Sequence, residues 1–153
     1  MKCSLLLFSL LLTLSIFGQR YSNSVGLKYA TQGSMQINGK HFLTENKALE
    51  ASLGGYTNYV WLQGNFLWQS PLVDDLDYYF GAGPGFGMFT GNSIMQTSAN
   101  DRYFIGVNGV FGVEYKLPDY PFTFSLESGP YVQIIQKFSL GWNVGLAARY
   151  VLP

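Results

Sequence analysis

Charge is scarce in this chain of 153 residues: Asp, Glu, Lys and Arg make up 12% of it, nine acidic against nine basic, with a formal net charge of zero. No basic cluster forms, so a nucleic-acid partner is not indicated. Histidine occurs once, at His41, and cysteine once, at Cys3. Cys3 lies ahead of an apolar run and would leave with it. The mature chain is therefore expected to have no disulfide and no thiolate ligand, and no metal or other cofactor is expected. Beyond the N-terminus no apolar run approaches the roughly 20 residues that a membrane-spanning helix needs. Aromatics, by contrast, reach 17%, which argues against disorder.

The first residues, "MKCSLLLFSLLLTLSIFGQ", have the form of a secretory signal: Lys2, an apolar stretch from Ser4 to Phe17, and the small residue Gly18 before Gln19. Residues 1–18 are expected to be removed, leaving 19–153 as one domain of an exported protein.

What recurs in the remainder is alternation. In "YYFGAGPGFGMFTG", residues 78 to 91, Gly81, Gly83, Gly85 and Gly87 occupy every second position. A dinucleotide-binding loop needs G-x-G-x-x-G entering a helix, which this spacing is not. A flexible linker would not carry Tyr78, Phe80, Phe86, Met88 and Phe89 in the same window. Period two is the period of a strand, here with one apolar face and one face emptied of side chains. Six other segments repeat the pattern, among them "YVWLQGNFLWQ", "YFIGVNGVFGVEYKL" and "SLGWNVGLAARYVL". An eighth, "QINGKHFL", lies before the turn "TENK"; its Asn38-Gly39 pair is also a hairpin signal. Counted as a strand, it gives an even number that returns the chain to its starting side.

The alternation fits two barrels of opposite polarity. A soluble lipocalin-like carrier lines its cavity with the apolar face and needs a well-charged exterior. Here the second face is mostly Gly, Ser, Asn and Gln, a poor surface but a suitable filling for a narrow lumen. The expected fold is all-β: an eight-stranded antiparallel up-and-down transmembrane barrel. Lys28, Lys40, Glu50, Glu114, Lys116, Glu127 and Arg149 have lumen-facing parity and are expected to form a mixed-sign network, since buried charges persist only when paired. The glycines at 81, 83, 85 and 87 are expected to face the lumen and make room for large neighbours such as Tyr59, Trp61 or Tyr131. With the N-terminus in the periplasm, Trp68, Tyr78, Tyr115, Phe122 and Tyr150 fall at periplasmic strand ends with outward parity, as an aromatic girdle would.

With its signal, strand count and aromatic edge, the strand, turn and strand of "GKHFLTENKALEA" and the last strand "GWNVGLAARYVL", the chain resembles the small eight-stranded outer-membrane β-barrels, the class of the OmpA transmembrane domain, OmpX and OmpW. The resemblance implies residence in a bacterial outer membrane, membrane lipid and the outer-membrane assembly machinery as partners, and a monomer. Two features depart from it. Such barrels usually end on an aromatic residue that aids insertion, whereas this chain ends Tyr150-Val151-Leu152-Pro153. Pro84 and Pro130 lie within strands, where each removes a ladder hydrogen bond, and a bulge is expected near each.

Enzymatic chemistry finds little support. Strand prolines in lipid A acyltransferase-like barrels admit lipid laterally, which makes a lipid-modifying enzyme, acyltransferase-like or deacylase-like, the alternative. His41 is its one histidine, however, and a deacylase-like arrangement would want a hydroxyl two residues on, where Leu43 stands. "DDLD", residues 74–77, reads as an acidic turn and fits no EF-hand loop. Eight strands leave a plugged interior rather than a solute pore. "GNSIMQTSANDR", residues 91–102, is the long outer connection, and its Asn92, Gln96, Thr97, Asn100 and Asp101 are the candidate contacts for an unidentified surface ligand. The expected role is structural or surface-interacting, without catalysis.

Overall fold

The computed structural model describes residues 21–31, 34–91, 102–135 and 137–153. They form eight strands: β1 (Asn23–Ala30), β2 (Ser34–Thr44), β3 (Lys47–Tyr56), β4 (Tyr59–Val73), β5 (Leu76–Phe89), β6 (Tyr103–Lys116), β7 (Phe122–Ile135) and β8 (Ser139–Leu152). Each pairs antiparallel with the next, and β8 returns to β1, closing the barrel. No helix occurs among the described residues.

The Asn38-Gly39 pair lies inside β2 rather than at a turn. Asn38 pairs with Gly26 on one side and Ser52 on the other. Its buried amide hydrogen-bonds Glu50 (2.6 Å) and Ser52 (2.7 Å), bonds that a turn would forfeit. The hairpin turns instead at Glu45-Asn46.

Strand parity separates two environments. Val25, Leu27, Ile37, Leu49, Leu53, Leu62, Phe80, Phe86, Val107, Phe111, Phe124, Leu126 and Leu146 all point outward and are exposed. Buried inside are Lys28, Lys40, Glu50, Glu114, Glu127 and Arg149, together with Asn38, Asn65, Gln69, Asn108 and Gln133. Soluble proteins show the reverse distribution. An apolar exterior around a polar interior excludes the lipocalin-like reading and suits a barrel whose solvent is lipid.

The glycines of β5 face inward, for two different reasons. A Cβ on Gly85 would strike the Trp61 ring, as expected. At Gly87 the ring is Phe104, which sequence reasoning did not foresee, and Tyr131 lies over Gly106 of β6 rather than over β5. Tyr59 meets Phe104 edge-on at 6.0 Å. Gly81 and Gly83 make no room for rings. A Cβ there would meet the backbone carbonyls of Phe66 and Gly64, so these two let neighbouring strands approach closely.

The expected bulges at Pro84 and Pro130 are absent. The β4–β5 register is the same on both sides of Pro84, as is the β6–β7 register on both sides of Pro130. Each ladder only skips the pairs around the proline, where Gly64 stands opposite Pro84 and Gly109 opposite Pro130. At Pro130 the facing glycine leaves space for the pyrrolidine ring: a Cβ on Gly109 would lie 3.3 Å from Pro130 Cγ, whereas one on Gly64 would meet nothing within 4 Å. Register shifts occur elsewhere, at Phe42/Thr44, Pro71/Val73 and Ile105/Gly106.

Candidate functional site

The lumen has two parts. Towards the end that carries both termini lies a charged network. Arg149, from β8, donates to Glu114 of β6 (2.8 Å), Glu50 of β3 (3.2 Å), Ser125 of β7 (3.0 Å) and the side-chain Oδ1 of Asn38 in β2. Lys40 pairs with Glu114 at 3.2 Å and lies 4.6 Å from the centre of the Tyr79 ring. Lys28 of β1 bridges Glu50 (3.2 Å) and Glu127. Tyr21, just before β1, donates to Glu114 at 2.6 Å, and Tyr79 donates to Glu127 at 3.0 Å. Three cations thus meet three carboxylates, all buried. A charge in so narrow a space is tolerable only when it is paired with its opposite.

The opposite end is closed by rings. Tyr59 and Trp61 start β4, Phe89 ends β5, Phe104 starts β6, and Tyr131 comes from β7. Trp61 and Phe104 stack at 5.3 Å, Tyr131 meets Trp61 edge-on at 5.0 Å, and Phe89 lies 4.8 Å from Phe104. Between the two parts, lined by Lys28, Glu127, Gln36, Asn108, Trp61 and Tyr131, is a cavity of about 40 Å³. That volume holds a few waters and no larger solute.

Six of the seven charges expected in the lumen are therefore brought together. Lys116 is not. It has the inward parity, but as the last residue of β6 it stands half-exposed at the rim and joins none of these ion pairs. Sequence reasoning missed Tyr21, Asn38, Tyr79 and Phe104. Parity was available for the last three, whereas Tyr21 precedes the first strand and carries no periodic signal.

On the outside, Trp68, Tyr78, Tyr115, Phe122 and Tyr150 are all exposed, towards the terminal end of their strands. Trp68 stacks on Phe80 at 5.8 Å, and Phe122 meets Tyr150 edge-on at 5.5 Å. Trp68 lies deepest, five positions before the end of β4. His41 is also outward and exposed, and its Nδ1 is 2.7 Å from the Asn23 side-chain oxygen. Asp74 and Asp75 form the β4–β5 turn, and Asp77 accepts a hydrogen bond from Gln69 at 2.7 Å. Among the described residues no three His, Cys, Asp or Glu side chains cluster as a metal site would require. Asn92, Gln96, Thr97, Asn100 and Asp101 lie outside the described residues, as does the segment 1–18.

No protein-family model matches this sequence, and comparison with curated proteins gives no match. Solved structures do match. The N-terminal β-barrel domain of Pseudomonas aeruginosa OprF is similar over 84% of this chain and 93% of its own, with 17% identity and a TM-score of 0.65. Neisserial surface protein A is similar over 85% and 93%, with 10% identity and a TM-score of 0.54. A de novo designed transmembrane β-barrel is similar over 86% and 97%, with 17% identity and a TM-score of 0.55. Identities this low carry the architecture and nothing of the role. Closed eight-strand topology, inverted polarity and these likenesses agree: by its fold the chain is a small eight-stranded β-barrel of the outer-membrane type, with strands that cross the bilayer.

Proposed function

We propose that this protein is an integral barrel of a bacterial outer membrane, exported by a cleaved N-terminal signal, with a closed lumen and a structural or surface-interacting role rather than an enzymatic one. The inversion of polarity carries the reading: exposed Phe80, Val107 and Leu126 surround buried Lys40, Glu50, Glu114 and Arg149. Against conduction of solutes stand the ion-pair network and the aromatic closure, which block the lumen in series. Against lipid modification stands His41, whose polar contact is the amide of Asn23 and not a hydroxyl nucleophile.

The test is gel mobility of the mature protein from an outer-membrane fraction, unboiled against boiled in SDS. A compact, fast band that slows on boiling is expected. Recovery in the soluble periplasm without a mobility shift would overturn the membrane reading. In a separate assay, transfer or removal of lipid A acyl chains by the purified barrel would overturn the non-enzymatic one.

A further inference from the structure

The aromatic girdle at the terminal end does not run all the way round. Trp68, Tyr78, Tyr115, Phe122 and Tyr150 belong to β4–β8. Across β1–β3 the gap between Trp68 and Tyr150 is filled by polar residues. Lys47 pairs with Trp68, Asn23 lies two residues before Val25, which pairs with Tyr150, and His41 pairs with Asn23. His41 and Lys47 are exposed. His41 pairs with the outward Leu49, so Lys47, two residues from Leu49, is its diagonal neighbour on the same face.

Above this polar sector the wall is hollow. Gly39, Ala51 and Gly64 stand side by side on β2, β3 and β4, in one row of the ladder that ends against Pro84 of β5. They floor an outward groove of about 670 Å³, bordered by Leu49 and Phe66 and reaching Asn23 and His41. With neighbouring strands about 4.8 Å apart, the row is about 14 Å long from Gly39 to Pro84. It also climbs. Followed once round the barrel from Tyr150, through Gly39 and Gly64, it returns to β8 at Leu140, ten residues further from the terminal end. The groove therefore starts beside His41 at the girdle and rises towards the middle of the bilayer. An acyl chain hanging from an interfacial head group takes that course.

The barrel itself does not require these glycines. A Cβ on Gly64 would meet nothing within 4 Å, and one on Gly39 only the Ser24 carbonyl at 3.8 Å. Every other strand glycine with described surroundings would meet an atom within 3.3 Å. A hollow facing hydrocarbon does not stay empty, because a void forfeits the dispersion contacts of its lining. Charge selects what fills it. Lys47 joins none of the ion pairs among the described residues. His41 has its Nδ1 tied to the Asn23 side-chain oxygen at 2.7 Å, which fixes the ring and leaves Nε2 for another partner. Glu45 lies in the turn below them, away from the groove.

We propose that this groove seats one anionic glycerophospholipid, its phosphate against Lys47 and His41 and one acyl chain laid along Gly39, Ala51 and Gly64. Its leaflet is the periplasmic one, on the side of the chain termini. The proposal deepens the membrane reading above and rests on it. A basic residue at the interface favours an anionic over a zwitterionic head group by about fivefold.

The test refolds the mature barrel into vesicles of equal phosphatidylglycerol and phosphatidylcholine, extracts it in mild detergent and identifies the retained lipid by native mass spectrometry. Gel mobility of the same samples, unboiled against boiled, reports insertion separately, so a barrel that inserts but holds no lipid fails this proposal and not the membrane reading. The wild-type barrel is expected to retain one lipid, phosphatidylglycerol over phosphatidylcholine by about fivefold. The double variant Lys47→Gln, His41→Gln is expected to lose that preference. Gly64→Leu places a side chain in the groove where its Cβ has open space, and is expected to lose retention of either lipid while keeping the mobility shift. Ala148→Leu, an outward change on β8 away from the groove, is expected to retain lipid as wild type does. Equal retention of both lipids by the wild-type barrel, retention undiminished in Gly64→Leu, or equal loss in Ala148→Leu overturns the proposal.

Discussion

The two ends of the lumen fill the same narrow cylinder by opposite means. At the terminal end, six charged side chains from six different strands hold one another by directional bonds, with Arg149 touching four partners at once. At the other end, rings from four strands pack against one another and into hollows left by glycine. One end is a list of pairings, the other a matching of volumes. The first is intolerant of losing a member and the second of gaining an atom.

The largest effect is expected from breaking the pairing. Arg149→Met leaves the Glu50 and Glu114 carboxylates buried with half their compensation gone, a loss of about 3–5 kcal/mol. Urea unfolding of the barrel from lipid vesicles measures it. Lys40→Met, which deprives Glu114 alone, is expected to fall below that. Adding Glu50→Gln to Arg149→Met is expected to recover much of the loss, because Lys28 with Glu127 and Lys40 with Glu114 then remain as balanced pairs. A single Arg149→Met variant within about 1 kcal/mol of wild type would mean that water reaches these carboxylates, and the contrast between the two ends would collapse.

A moderate effect is expected at the aromatic end. Gly85→Val drives a side chain into the Trp61 ring and is expected to cost about 1–3 kcal/mol. Trp61→Leu made together with it restores the total volume, so the double variant is expected to be more stable than the sum of the two single changes predicts. Gly83→Val is the control. Its obstacle is the Gly64 carbonyl, which no side-chain truncation removes, and the same Trp61→Leu change is expected to leave it unrelieved. A double-mutant cycle on each pair reads the difference. Equal coupling in both cycles would show that β5 shifts as a unit, and the two uses of glycine would not be separable.

Strand count, facing and the membership of the charged network were legible because they follow from period two. Once a strand is in phase, Lys28 and Glu127 must point the same way as their glycine neighbours. What period two does not carry is the stagger between strands. Register decides which ring covers which glycine, so Gly87 was assigned a hollow without its occupant, Phe104. It also decides where a strand ends relative to its neighbours. Pro130 suggested a bulge because the sequence does not show that Gly109 lies opposite. The row that sets Gly39, Ala51 and Gly64 side by side was invisible for the same reason. Parity places a residue inside the cylinder but not at a height within it.

Lys116 is where that limit matters, and it gives the smallest expected effect. It has the parity of Glu114, two residues away, but β6 ends with it and the next residues, Leu117–Pro121, turn into β7. The residue is partly exposed, so water competes for the hydrogen bonds of its ammonium group. Lys116→Met is therefore expected to change stability by no more than about 0.5 kcal/mol, in the same urea titration that registers Arg149→Met as a severe loss. The two residues sit on adjoining stretches of wall, Lys116 opposite Thr123 and Arg149 opposite the same Thr123 from the other side. A loss above about 1 kcal/mol at Lys116 would extend the network to the rim, because only a charge shielded from water can cost so much to remove. The boundary of the lumen would then lie in the Leu117–Pro121 turn rather than at Glu114.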